Sequence, residues 1–219
     1  TSELCVDRPA LSGDIVAVTG RAAGAPSGSI VLRTGAAVSG ESGSVTCAVG
    51  DGTVESGDVA VRGGKSTAWG KTGGTVRFAG GIGTNVHANN GGDGGPVRVV
   101  GGEAHGRSST DNGGSVSMTG GSAYQGRGGS VHVSTSAAER TSSGPLLVNT
   151  GNVAGCGVSG SIAIVTGSSS LGLSGCILLE SGDASGGSSG SLQLRVGTGD
   201  SGEGGDVSAT AGLTDDRTT

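Results

Sequence analysis

Residues 144–186 read GPLLVNTGNVAGCGVSGSIAIVTGSSSLGLSGCILLESGDASG, nearly the same short phrase three times over. Each phrase opens on a glycine, runs through alternating apolar residues and dissolves into a glycine- and serine-rich stretch. Extending the alignment in both directions gives thirteen units, from SGDIVAVTG to GGDVSATAG. Their anchor glycines are Gly13, Gly28, Gly43, Gly57, Gly74, Gly95, Gly114, Gly129, Gly144, Gly160, Gly175, Gly190 and Gly205. Nearly all spacings are 14 to 16 residues; 17, 21 and 19 occur only between Gly57 and Gly114. A fixed period of this kind is the mark of a repeat architecture.

The second and fourth residues after each anchor are apolar, as in Ile30/Leu32, Val76/Phe78, Val116/Met118, Ile162/Ile164 and Leu192/Leu194. Residues between them vary freely: Val16, Thr46, Arg77, His132, Gln193. Period two with β-branched residues predicts a strand with one covered face. Helix is excluded, because glycines punctuate every unit. The stretches between strands, such as GAAVSGESG and GSSSLGLSG, predict tight corners, where glycine supplies positive φ and lets backbones approach.

Strand, corner and return at constant length predict an all-β fold, a parallel β-solenoid of about thirteen 15-residue units stacked about 4.8 Å apart. An antiparallel meander or sandwich is the alternative; hairpin loops do not require equal lengths. The expected organisation is an N-terminal cap or linker over 1–12, one repeat domain over 13–212 with irregular units at 57–114, and a tail over 213–219. The chain opens TSELCVDRPALSGDIV, without an initiator Met or an apolar leader, and so reads as processed or as part of a longer protein.

Composition narrows the function. Of 219 residues 50 are glycine, 32% are hydrophobic and 1% aromatic, so any core is thin and needs further cover from outside the chain. A net charge of −5 gives no footprint for nucleic acid, and no apolar run is long enough to span a membrane. If units stack, Val16, Val18, Val31, Leu147, Val165 and Leu178 form apolar stripes on the outer face, candidates for an interface with other fibre subunits or copies of this chain.

Candidate chemistry is sparse. Asp14, Asp58 and Asp206 share a register but lie in units one, four and thirteen, too far apart for paired acid–base work. His87, His105 and His132 fall in different registers and make no metal set. No catalytic residue, cofactor or metal is expected. Thr19, Thr34, Thr135, Thr150 and Thr166 share a column that an ice-binding face could use, yet it lapses at Val49, Gly63 and Gly80 and points inward by alternation.

Cys5, Cys47, Cys156 and Cys176 contain no C-x-x-C pair. Four cysteines suit two disulfides in an oxidising compartment, with Cys156–Cys176 as the local pair; Cys47 could equally fill a core as a thiol. No N-x-[ST] sequon is present, while the Ser/Thr-rich corners are open to O-linked sugars.

The phrase S-G-[SD]-[VI]-x-[VL]-x-T-G with its glycine-rich corners resembles the Gly/Ser-rich β-solenoid repeat proteins of microbial extracellular surface structures, of filament, mastigoneme or adhesin type. That resemblance spans about residues 12 to 212 and implies secretion, polymerisation and no catalysis. The expectation is a structural subunit of an extracellular filament or cell-surface fibre, with a surface-binding module, adhesin or ice-binding, as the alternative.

Overall fold

The computed structural model describes residues 12–87 and 89–212. Among these residues there is no helix and no β-strand. Neither the parallel β-solenoid nor the antiparallel meander is therefore present. The expected caps at the two termini lie largely outside the described residues. The chain divides into two units, Thr1–Ser117 and Met118–Thr219, the boundary falling inside the seventh apolar run.

The fifteen-residue period appears in a different form. The chain bends at 23–25, 38–40, 53–54, 68–70, 89–90, 108–110, 124–126, 139–141, 155–157, 170–172, 185–187 and 200–202. One bend stands in each connection between successive apolar runs. Local chemistry explains several of them. Gly24, Gly70, Gly186 and Gly202 adopt φ of 81°, 68°, 97° and 77°, which a side chain would oppose. At 68–71 the Lys71 N–H donates to the Ala68 carbonyl at 3.3 Å with Gly70 third in the turn, a type II arrangement that leaves Trp69 at the tip. Around Cys156 the Gly157 N–H donates to the Gly155 carbonyl at 2.9 Å, a three-residue turn.

The reason no solenoid forms lies at the base of the connections. A fifteen-residue coil would set Gly28 beside Gly13, one rung above it. Instead Gly28 meets Thr19, the end of the run just before it, while nothing stands within 4 Å of a Cβ built on Gly13. The connection closes on its own base, so the residues that would carry the chain around a coil return it to where it left. Among the described residues no backbone hydrogen bond joins one apolar run to another; all eight lie within connections or at their bases.

No residue among those described is buried, and only Ser66, Gly80, Gly101, Gly120 and Thr150 are partly covered. The chain exposes 22763 Å² for its 20.5 kDa, against roughly 9,000 Å² for a compact protein of that mass and about 30,000 Å² for a fully unfolded one. Order here is local, held by turns and loop closures rather than by a core.

Candidate interaction surface

Each run is an anchor glycine and the six residues after it: 13–19, 28–34, 43–49, 57–63, 74–80, 95–101, 114–120, 129–135, 144–150, 160–166, 175–181, 190–196 and 205–211. In eleven of the twelve connections what separates them is a loop clasped at its base, where the last residue of one run meets the anchor glycine of the next. Two kinds of clasp occur.

In the first, a side chain closes the loop. The Cγ2 methyls of Thr19, Thr34, Thr150 and Thr166 lie 3.3–3.5 Å from where a Cβ would stand on Gly28, Gly43, Gly160 and Gly175. Val49 meets Gly57 at 3.2 Å, Ser181 meets Gly190 at 3.5 Å, and Val196 meets Gly205 at 3.0 Å in the same way. The second kind closes by backbone. Gly74, Gly95, Gly114 and Gly129 donate their N–H groups to the carbonyls of Gly64, Gly81, Gly102 and Gly121 at 2.8, 2.9, 2.8 and 2.7 Å. A Cβ on Gly63, Gly80, Gly101 or Gly120 would collide with the carbonyl of the same anchor glycines. Only glycine permits that approach.

A sequence signal outside the apolar alternation marks the second kind. Wherever the run ends in Gly-Gly, at 63–64, 80–81, 101–102 and 120–121, the next anchor is also preceded by glycine, at 73, 94, 113 and 128. The threonine column, read as inward-facing, consists largely of clasp residues. Thr135 is the exception, since nothing stands within 4 Å of a Cβ on Gly144.

Every clasp joins the same two positions, whatever the length of the loop it closes. The closed loops range from Val49–Gly57 to Gly80–Gly95. Longer loops carry their own order. In loop 82–93 the Gly92 N–H donates to the Asn85 carbonyl at 2.9 Å, and the His87 N–H to Asn85 Oδ1 at 3.0 Å. In loop 103–112 the Ser108 N–H donates to Asp111 Oδ2 at 2.9 Å, and the Asp111 N–H to the Ser108 carbonyl at 3.1 Å. His105 Nε2 stands 3.5 Å from Glu103 Oε2, an exposed pair worth little in water.

The runs display the apolar alternation without a partner. In runs two to thirteen the second residue is 42–64% exposed. The expected interface residues Val16, Val18, Val31, Leu147, Val165 and Leu178 are 71–83% exposed. Since the runs do not stack, these six form no continuous stripe within the described residues. Fourth-position residues are exposed to a similar degree, Leu32 at 81% and Phe78 at 74%, so both faces of the runs stand in water.

The remaining candidates stay separate. Asp14, Asp58 and Asp206 stand on the first, fourth and thirteenth runs. Among the described residues there is no cavity, and no group of three His, Cys, Asp or Glu side chains could share a metal. Cys47, Cys156 and Cys176 are free, exposed thiols, so the expected Cys156–Cys176 bridge is not formed; Cys5 lies outside the described residues. No helix among the described residues is long and apolar enough to cross a membrane.

Compared with family models, with curated proteins and with solved structures, the chain matches none.

Proposed function

We propose that this chain is a non-catalytic structural element of an extended, multi-chain extracellular assembly, a filament or cell-surface fibre. One observation carries the reading: thirteen apolar runs at a regular interval, with no core among the described residues to receive them. Alternating apolar side chains left in water are unfavourable by about 25 cal/mol per Å². A chain that keeps this pattern through thirteen repeats gains from it only when other molecules cover it. Large exposed apolar areas commonly mark such contacts.

Clasped loops serve the same end. They fix how one run follows the next whatever the loop contains, which suits a building element whose contacts must recur. An ice-binding face is disfavoured, because Thr19, Thr34, Thr150 and Thr166 are engaged at loop bases rather than arrayed on a flat surface. Serine- and threonine-rich loop tips stay open to O-linked sugars.

Immunogold electron microscopy with antibodies against the whole chain tests the reading. Gold regularly spaced along extended fibres outside the cell is the expected result. Label confined to the cytosol, or spread diffusely without any fibre, overturns it.

A further inference from the structure

The structural reading leaves open what covers the runs, and on that reading we infer that the occupant is a second copy of this chain, its runs laid antiparallel along those of the first. Exposed area excludes a compact partner. A stable interface of standard size buries about 1,600 Å² in total. The chain's 22763 Å² exceeds the roughly 9,000 Å² of a compact protein by several times that amount. A globular partner docked at one patch would leave most runs in water. Cover has to recur run by run, at the interval the clasps impose. A second copy offers apolar side chains at the same two-residue spacing and runs at the same interval.

Backbone chemistry points the same way. The N–H and C=O groups along the described runs make no backbone hydrogen bond to another run. An extended segment with open hydrogen-bonding groups and period-two apolar side chains is an edge that pairs with another strand.

Charge placement selects the direction. Asp14, Asp58 and Asp206 occupy the first position after the anchor, and no basic residue does so in any run. Arg33, Arg62 and Arg195 occupy the fifth position. Laying two runs antiparallel with their third residues facing puts first opposite fifth and second opposite fourth. Apolar then faces apolar, and no aspartate at a first position meets another aspartate. In the fourth run paired with its own copy, Asp58 faces Arg62 twice. Glu180 departs from the pattern at the fifth position, and in its own run it faces the uncharged Cys176; Arg77 and Arg98, at the third position, meet their own copies in either direction and so do not choose between the two. A parallel, in-register pair would instead place every Asp on Asp and every Arg on Arg, which is destabilising.

The test uses the full chain under reducing conditions, across a range of concentrations, by sedimentation velocity and circular dichroism. Mass and β-signal are expected to rise together. Ile162→Asp with Ile177→Asp, at second positions, should weaken association at least tenfold; Leu171→Asp, at a loop tip, should leave it within twofold. Direction is read in the assembled material with a carbonyl label on Met118, the chain's single methionine. Antiparallel pairing leaves no strong coupling between like labels, whereas a Met118–Met118 distance of about 4.8 Å overturns the proposal. Association without β-signal, or β-signal in the monomer, also overturns it. If the purified chain stays monomeric at every concentration while gold still decorates fibres, the pairing is wrong and the structural reading stands.

Discussion

The Cγ2 methyl of Thr19 lies 3.5 Å from the point where a Cβ would stand on Gly28. That spacing is ordinary van der Waals contact, and Gly28 keeps a φ that any residue accepts. A methyl group at Gly28 therefore fits, whereas one at Gly74 would stand 2.8 Å from the Gly64 nitrogen. Gly28→Ala is expected to leave the first clasp closed, tightening it by about 0.4–1 kcal/mol through lost freedom of the open loop. Gly74→Ala is expected to open its clasp and free the 2.8 Å bond to the Gly64 carbonyl, a loss of about 1 kcal/mol. Amide exchange at residue 74 should quicken roughly fivefold by the same measure, and the Thr19–residue 28 nuclear Overhauser contact should persist.

The two clasp types are expected to interconvert. Thr166 and Gly175 are as far apart in sequence as Gly120 and Gly129, yet only the latter pair belongs to a loop with a backbone bond, Gly129 N–H to the Gly121 carbonyl at 2.7 Å. Val196 shows that one glycine pair is not enough. Its partner anchor is preceded by Gly204, but the valine side chain stands 3.0 Å from the Cβ site of Gly205 and no bond forms among the described residues. Thr166→Gly together with Ser174→Gly should create a bond from the Gly175 N–H to the Gly167 carbonyl, read as new exchange protection at Gly175. Ser174→Gly alone should not.

Much of this was legible in the residues, and the rest failed for a physical reason. The apolar alternation of Ile162/Ile164 and Leu192/Leu194 marks the runs, and the glycine-rich intervals mark the bends at 170–172 and 185–187. Equal unit lengths, by themselves, predict stacking. The same regularity arises when each loop closes on its own base, because a clasp also fixes where the next run begins. Period two reports an extended backbone with two unlike faces; it does not report which chain supplies the neighbouring strand. The matched Gly-Gly pairs around Lys65–Thr72 and Ser122–Arg127 carried the missing information, since doubled glycine at both ends of one loop implies backbone meeting backbone.

Loop length is expected to matter little. Clasps close over connections as short as Val49–Gly57 and as long as Gly80–Gly95. Doubling a flexible loop adds only about 0.6 kcal/mol to its closure. Eight Gly/Ser residues inserted after Ala184, near the 185–187 bend, should leave the Ser181–Gly190 clasp formed. The concentration needed for half-maximal association, measured by light scattering, should rise by no more than about threefold.

Thiol chemistry follows from exposure. Cys47, Cys156 and Cys176 are all free and in contact with water, so alkylation without any reductant should modify each of them. Rates in buffer and in denaturant should agree within about twofold, because no packing has to open first. Peptide mass mapping reads the outcome; an unmodified, disulfide-linked Cys156–Cys176 peptide pair would contradict it.

Heating separates a chain ordered by local closures from one ordered by a core. A compact protein absorbs about 12–15 cal/mol/K per residue on unfolding, because apolar surface enters water together. Here the apolar runs are in water at the outset: Ile177 is half exposed and Leu178 71% exposed, and neither belongs to a buried cluster. Each clasp involves one contact or one hydrogen bond and can open without its neighbours, so nothing couples them into a single transition. Scanning calorimetry of the dilute monomer should show no cooperative peak and a heat-capacity step well under a quarter of the globular value for 219 residues. Raising the concentration until chains associate should bring in a peak that sharpens with the β-signal, because the runs then lose a partner when they separate. A sharp, concentration-independent transition in the monomer would mean a core exists and would reject the clasped-loop architecture.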